Sequence, residues 1–435
     1  MEGRHHLIGI KGTGVSGLAC LLHDWGVAVS GSDIPDFVFT QVALEERGIQ
    51  VQPFAPSNVH GATTVIRSAA FGPSNPEVAE AMRLELPIFT YPEYLGVLTA
   101  RKETMCISGT HGKTTTSGMV ARVWEAAGRD PSYLIGDGTG HGRPGPELVL
   151  EACEYRRHFL NYTPRDAVIL NIDFDHPDYF RDLMDTKEAF GDFAARAGEL
   201  VVGWGDDTVV RAALKPLGKK AVYFGEAPNN DYVASRLQSS PTVQQYMLHH
   251  HGTRVGRVKL AVPGTHNVLN SLAAATLALE RGLPFQAVAA GLATYRGARR
   301  RFEVTEVGHG FVVDDYAHHP TEIAAVIGGA RQRFPQRRLV AAFQPHTYTR
   351  TKAFLREFAQ SLALADEVLV TEIFGSAREN SEGFSAAAIV EAMDARKARF
   401  VTLDQLEVIG REALEEGDVL LLLGAGDMYK VKKRW

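Results

Sequence analysis

At 435 residues the chain exceeds one ordinary core, and the usual ~100 to 200 residues per domain point to two or three domains, of which three are expected. Apolar residues at 45% and charged residues at 22% exclude a disordered or fibrous chain. Acidic residues outnumber basic ones, 51 to 46, without a dense Lys/Arg block, which argues against general nucleic-acid binding.

The cysteines Cys20, Cys106 and Cys153 are odd in number and form no CxxC, so they read as reduced thiols. Met1 to His6 is polar and Leu7 to Ile10 is too short for a signal-peptide core, which predicts a cytoplasmic location. Apolar runs such as Val419 to Leu423 are strand-sized, so no membrane insertion is expected. Oligomeric state is not legible.

In chain order, β-type runs are expected at His6 to Ile10, Thr64 to Arg67, Thr104 to Ser108, Leu148 to Leu150 and Ala167 to Asn171. They resume at Phe311 to Val313, Leu339 to Phe343, Glu367 to Thr371 and Val419 to Leu423. Each precedes a Gly-rich or polar turn and a helical pattern, which predicts an α/β fold with parallel sheets. Pro241 to Val262 reads as an antiparallel insertion before a helix starting near His266. Joints are expected near Tyr94 to Lys102 and at the basic run Tyr295 to Arg301.

Four constellations carry chemistry. Gly12-Thr13-Gly14-Val15-Ser16-Gly17 follows the first strand and opens a helix, where backbone amides can hold a diphosphate. Asp33 lies where a dinucleotide fold places a carboxylate on a ribose, so nicotinamide, flavin and other nucleotides all remain open here. Gly109-Thr110-His111-Gly112-Lys113-Thr114-Thr115 is a shortened phosphate loop, with Ile107 where the longer pattern has its first glycine. Lys113 supplies charge toward β and γ phosphates of ATP, and Thr114 can ligate Mg2+.

Third, Glu151 and the run Asn171-Ile-Asp-Phe-Asp-His176 end neighbouring strands, so Glu151 and His176 could share a metal with the phosphates. Asp173 and Asp175 read as supporting or capping groups. Fourth, Asp314-Asp315-Tyr316-Ala317-His318-His319-Pro320-Thr321-Glu322 and Gln344-Pro-His-Thr-Tyr-Thr-Arg350 gather acid, base and guanidinium at strand ends. Arg350 suits bidentate capture of a carboxylate. His318, an imidazole titrating near neutrality, suits proton transfer.

These four constellations, in this order, resemble the Mur ligase family across nearly the whole chain. The resemblance implies a Rossmann-like UDP-binding domain (1–98), a P-loop-type ATPase domain (99–297) and a C-terminal Rossmann-like amino-acid domain (298–435). The loop at 109–115 and the segment beginning at Glu151 look like those of the member joining L-alanine to UDP-N-acetylmuramate. The member that recycles murein tripeptide shares the loop and the Asp-Asp-Tyr motif. The resemblance puts UDP at Gly12, Gly14, Gly17 and Asp33, and ATP at residues 109–115 with Asn171. It adds His266, Asn267 and Asn270 on the adenine side, and Thr114, Glu151 and His176 on Mg2+. Lys113 and Asp315 would serve catalysis, with Tyr316, His318 and Arg350 near the amino acid. Many family members carry arginine where this chain has Thr347. A nicotinamide oxidoreductase is the alternative of another class, and an idle nucleotide-binding regulator a third.

Overall fold

The structure, a computed structural model, describes residues 3–375, 383–394 and 396–434. Three sheets follow one another along the chain. The first has five parallel strands in the order Val51–Gln52, Ala28–Ser32, Arg4–Ile8, Thr64–Arg67, Ile88–Thr90. The opening strand ends at Ile8 rather than Ile10, because Gly9 adopts φ 79° and turns the chain.

The second sheet has ten strands, with Glu103–Ser108 between Asp166–Ile169 and Glu147–Glu151. From Met105 to Ile107 this strand is fully buried, as expected for a parallel strand covered on both faces. Helices Lys113–Ala126, Thr265–Glu280 and Phe285–Thr294 cover one face together with an antiparallel meander at the sheet edge. The meander comprises Tyr232–Ser239, Gln244–His250 and Thr253–Leu260, so the insertion expected from Pro241 begins earlier, at Tyr232. The third sheet has six strands, antiparallel only where Glu303–Val307 meets Gly310–Asp315. Apolar clusters fill both of its faces.

The expected joint after residue 98 falls in the last turn of the helix Tyr91–Thr99. That at 297 lies between the helix Phe285–Thr294 and the strand Glu303–Val307. Among the described residues no helix is long and apolar enough to cross a membrane.

The first and second sheets meet where the helix Thr13–Asp24 packs on the hairpin Ser132–Leu134 and Gly140–His141. Trp25 Nε1 donates to Ser132 Oγ and the Arg143 carbonyl, each at 3.0 Å. The approach is so close that a Cβ on Gly140 would stand 1.7 Å from the Gly17 carbonyl oxygen. The second and third sheets meet along residues 171–176, which leave the end of the strand Asp166–Ile169 and run under the C-terminal segment 318–322.

Gly140→Ala should therefore lower unfolding free energy by about 1–3 kcal/mol, since backbone rather than a flexible side chain blocks the methyl. Gly328→Ala, on the exposed side of the helix Pro320–Arg333 with nothing within 4 Å, should instead raise it by about 0.5–1 kcal/mol. Urea unfolding of both variants checks the pair of signs.

Candidate active site

Two glycines shape the loop between the strand Glu103–Ser108 and the helix Lys113–Ala126. Gly109 has φ 145° and Gly112 φ 85°, and a Cβ on Gly112 would stand 2.4 Å from Asn270 Oδ1. Asn171 serves as the scaffold of this loop: its Oδ1 accepts from His111 N at 2.8 Å and its Nδ2 donates to His111 O at 3.1 Å. Thr110 Oγ1 accepts from Asp173 N and donates to Asp173 O. The amide and hydroxyl of these two residues are thus committed to loop shape, a detail the sequence reading did not separate from nucleotide contact.

Lys113 Nζ donates to the carbonyls of Gly109 (2.6 Å) and Thr110 (2.9 Å) and pairs with Glu154 at 3.0 Å. Burial works to lower the pKa of this ammonium, but Glu154, Cys153 and Glu151 together outweigh it and hold the pKa above its ordinary value. Glu154, which the sequence reading left out of the site, is buried and also lies 3.7 Å from His176 Nε2. Its only sequence signal is the second acid of Glu151-Ala-Cys-Glu154.

Glu151 accepts from Gly136 N at 2.7 Å and from the Thr114 hydroxyl; burial raises its pKa, with Lys113 opposing. Glu154 Oε2 is buried and makes no hydrogen bond in spite of its ion pair. The hard carboxylate oxygens of Glu151 beside the Thr114 hydroxyl fit a magnesium ion. His176 stands on the far side of Glu154, held at φ 56° with the Tyr155 ring 4.6 Å away. Of the expected set, Thr114 contacts Glu151, while His176 lies beside Glu154.

Against this half stands the C-terminal segment. Arg350 is buried and already paired: Nε to Asp175 Oδ1 at 2.8 Å and Nη2 to Oδ2 at 3.2 Å. The sequence reading aimed this guanidinium at a substrate carboxylate, whereas here an internal carboxylate holds it. Burial would raise the Asp175 pKa, but His176 and Arg350 keep it well below the usual range. Thr347, where an arginine was expected by resemblance, has φ 66°, rare for a β-branched residue. Its hydroxyl caps the short helix Tyr348–Ala353 by accepting from Arg350 N at 3.4 Å, so it orients Arg350 instead of binding beside it.

His318 departs from expectation. Burial drives its pKa down to about 3, with Glu322 opposing and Arg350 assisting, so it does not titrate near neutrality. Its Nδ1 lies 3.0 Å from the Tyr316 carbonyl, which assigns the proton to Nδ1 and leaves the Nε2 lone pair as an acceptor. Tyr316 lies between Arg300 and Arg301, 5.2 and 5.4 Å from its ring. Asp315 is pushed up to about 6 by burial, with Arg301 opposing; its oxygens accept from Phe302 N and Ala317 N.

Between the halves opens a cavity of about 650 Å³, lined by Thr114, His266, Asn267, Asn270, Asp315 and Arg301 among others. Burial lowers the His266 pKa to about 4, making it a neutral hydrogen-bonding group. Asn270 Nδ2 donates to Asn267 Oδ1, and Asn267 Nδ2 to the Pro263 carbonyl. Arg301, 3.8 Å from Glu322, brings a cation into this cavity that was not singled out within the run 299–301. Its neighbour Arg300 is committed to Asp314 and the Gly424 carbonyl.

The first glycine turn reaches the same region. A Cβ on Gly14 would lie 2.7 Å from the Tyr91 ring, and Glu151 and Cys153 act electrostatically on Tyr91. Gly17 lies inside the helix against Leu134 and Gly138, so its bareness serves packing, while Gly12 precedes the helix N-terminus. Asp33 accepts from Lys11 N at 2.7 Å and Ile34 N at 2.8 Å, closing the turn.

Comparison with known proteins places three family models in series: "Mur ligase family, catalytic domain" on residues 4–103, "Mur ligase middle domain" on 146–278 and "Mur ligase, glutamate ligase domain" on 300–426. The UDP-N-acetylmuramate--L-alanine ligase of Pediococcus pentosaceus is 40% identical, covering 100% of this chain and 98% of its own. That of Desulfitobacterium hafniense is 41% identical, covering 98% of each. Among solved structures, a UDP-N-acetylmuramate-alanine ligase from Thermotoga maritima matches with a TM-score of 0.84 at 30% identity, over 100% of this chain and 98% of that one. A murein peptide ligase from Psychrobacter arcticus shares the fold at a TM-score of 0.73 and 22% identity, over 100% and 98%.

His111 bridges the halves, its Nε2 3.3 Å from Asp173 and its Nδ1 3.4 Å from Glu322. Burial alone would lower its pKa, but these two carboxylates raise it to about 9. A raised histidine stabilises fully below the unfolded pKa of about 6.5 and loses that contribution as pH rises through about 9. Wild-type unfolding free energy should thus fall by roughly 1–3 kcal/mol across this window. His111→Asn should flatten the decline, as measured by denaturant titration at several pH values.

Proposed function

The chain belongs to the Mur ligase family, and from that premise we propose that it joins L-alanine to the carboxylate of UDP-N-acetylmuramate at the expense of ATP. The observation that carries this reading is the run of contacts Lys113–Glu154–His176–Arg350, which joins the phosphate loop to the C-terminal half. The full-length relatives supply the substrates. Division at 98/99 and 297/298 would give one domain each to the UDP moiety, ATP and alanine. The reaction serves peptidoglycan precursor synthesis in the cytoplasm.

The UDP part lies at the turn Gly12–Gly17 and Asp33, and its muramoyl arm passes Tyr91 toward Glu151. Adenine lies toward His266, Asn267 and Asn270, with Asp315 facing the nucleotide. The muramate carboxylate attacks the γ-phosphate in line, with Lys113 and the loop amides stabilising the moving charge; ADP leaves and an acyl phosphate forms. Thr114, Glu151 and His176, with Glu154 beside them, would hold Mg2+, which when bound neutralises phosphate charge.

The neutral amine of L-alanine then attacks the acyl carbon, and the tetrahedral intermediate collapses to amide and phosphate. With a pKa of about 3, His318 orients the amine by accepting its hydrogen bond at Nε2; the amine proton leaves with the phosphate. Arg350 receives the alanine carboxylate by sharing or exchanging Asp175, and burial in the closed cleft protects the acyl phosphate from water. The nicotinamide alternative has no use for the Lys113 loop.

Phosphate release from Mg-ATP and UDP-N-acetylmuramate should require L-alanine and not respond to murein tripeptide. Release only with tripeptide would reassign the chain to recycling, and release with neither would refute the substrate reading. Lys113→Ala should cut turnover by about 100-fold or more. Arg350→Lys, which keeps a cation beside Asp175 but loses the bidentate fork, should raise the KM for alanine about 10- to 100-fold while nucleotide affinity holds, read by steady-state kinetics and nucleotide titration.

A further inference from the structure

Beside the phosphate site, three nitrogen and oxygen donors from both sides of the cleft converge. His111 comes from the nucleotide loop, Asp173 from the end of the strand Asp166–Ile169, and His319 from the start of the helix Pro320–Arg333. One donor atom from each lies within 4.8 Å of the others. His111 Nε2 is 3.3 Å and His319 Nδ1 4.0 Å from the same oxygen, Asp173 Oδ2. A tetrahedral zinc ion at ~2.0–2.2 Å from its ligands separates them by about 3.3 Å, so one pair is already spaced and the second needs a small rotation.

The groups behind these donors are those a metal site requires. A ligating histidine usually gives its other ring N–H to a carboxylate or backbone carbonyl. Here His111 Nδ1 faces Glu322 Oε1 at 3.4 Å, and His319 Nε2 faces the Phe174 carbonyl at 3.3 Å. Thr321 Oγ1 donates to Asp173 Oδ2 at 3.0 Å, fixing the carboxylate. Asp173 remains 42% exposed in its side chain, which provides an entry path, while His319 is buried. The cost is a helix cap: the His319 side chain accepts from Thr321 N at 3.3 Å and from the Glu322 backbone N–H, and ligation through Nδ1 would give up both.

We propose that His111, Asp173 and His319 form a second cation site, selective for zinc or a similar transition metal over magnesium, which staples the nucleotide loop to the C-terminal half. Two imidazoles and one carboxylate suit zinc or cobalt, whereas magnesium favours an oxygen-dominated set such as that around Thr114 and Glu151. The site is separate from the carboxylates at 151 and 154, and it stands on geometry whether or not the ligase reading holds. Filling it ties both walls of the nucleotide cavity together and retards nucleotide exchange.

The test titrates the nucleotide-free full chain with zinc chloride in excess magnesium, by calorimetry in two buffers of different protonation enthalpy. The expected result is one zinc per chain with proton release, because the metal displaces the proton His111 shares between its carboxylates. Cobalt should give the visible absorption of a four- or five-coordinate ion. His319→Gln and Asp173→Asn, one from each side of the cleft, should each weaken zinc more than tenfold. Glu322→Gln should weaken it by about 10- to 100-fold, as loss of the group behind a ligand does. Release of a fluorescent ADP should slow with zinc in the wild type and not in His319→Gln. Zinc binding unchanged in both ligand variants, or abolished by His176→Asn, would overturn the proposal. Metal-free thermal unfolding identifies a variant that does not fold, and the other variant then decides.

Discussion

The buried ion pair between Asp175 and Arg350 is the contact on which the active cleft depends, because it bridges residues 175 positions apart in sequence. Removing one partner of such a pair strands a buried charge, at a cost of about 3–5 kcal/mol. Around it two uncommon backbone conformations are held: His176 at φ 56° and Thr347 at φ 66°. Such strain persists where surrounding contacts over-determine it, and Asp175 and Arg350, adjacent to one and capped by the other, supply those contacts.

From that pair the strip 173–175 extends the joint. Asp173 meets His111 and Thr321, the Phe174 carbonyl meets His319, and the Phe174 ring packs edge-on against Phe354. Three consecutive residues thereby fix the C-terminal half against the nucleotide loop.

Much of this was readable from the chain. Apolar strand runs such as Leu339–Phe343 and Val419–Leu423 are buried on both faces, so their composition announces them. The loop Gly109–Thr115 is legible because its glycines answer to local backbone needs. What sequence could not supply depends on distant partners. Arg350 looked free because Asp175 is unrelated to it in spacing, and His318 looked titratable because its packing beside Tyr316, His346 and Arg350 leaves no mark in the spacing. Gly17 reads from sequence as a phosphate contact, and the structure adds a packing constraint there, a Cβ standing 2.6 Å from Leu134 and 3.3 Å from the Gly138 carbonyl. Glu154 carried no pattern of its own, and Arg301 was hidden among three consecutive arginines of which one is structural.

The ion pair between Lys113 and Glu154 also sets a rule of admission. An anion that draws the ammonium away leaves Glu154 buried without a counter-charge, and the desolvation cost of several kcal/mol falls on that visitor. A polyphosphate that arrives carrying its own divalent ion offers the carboxylate a replacement. Glu154 would thereby favour a metal-loaded polyphosphate over a bare anion at Lys113.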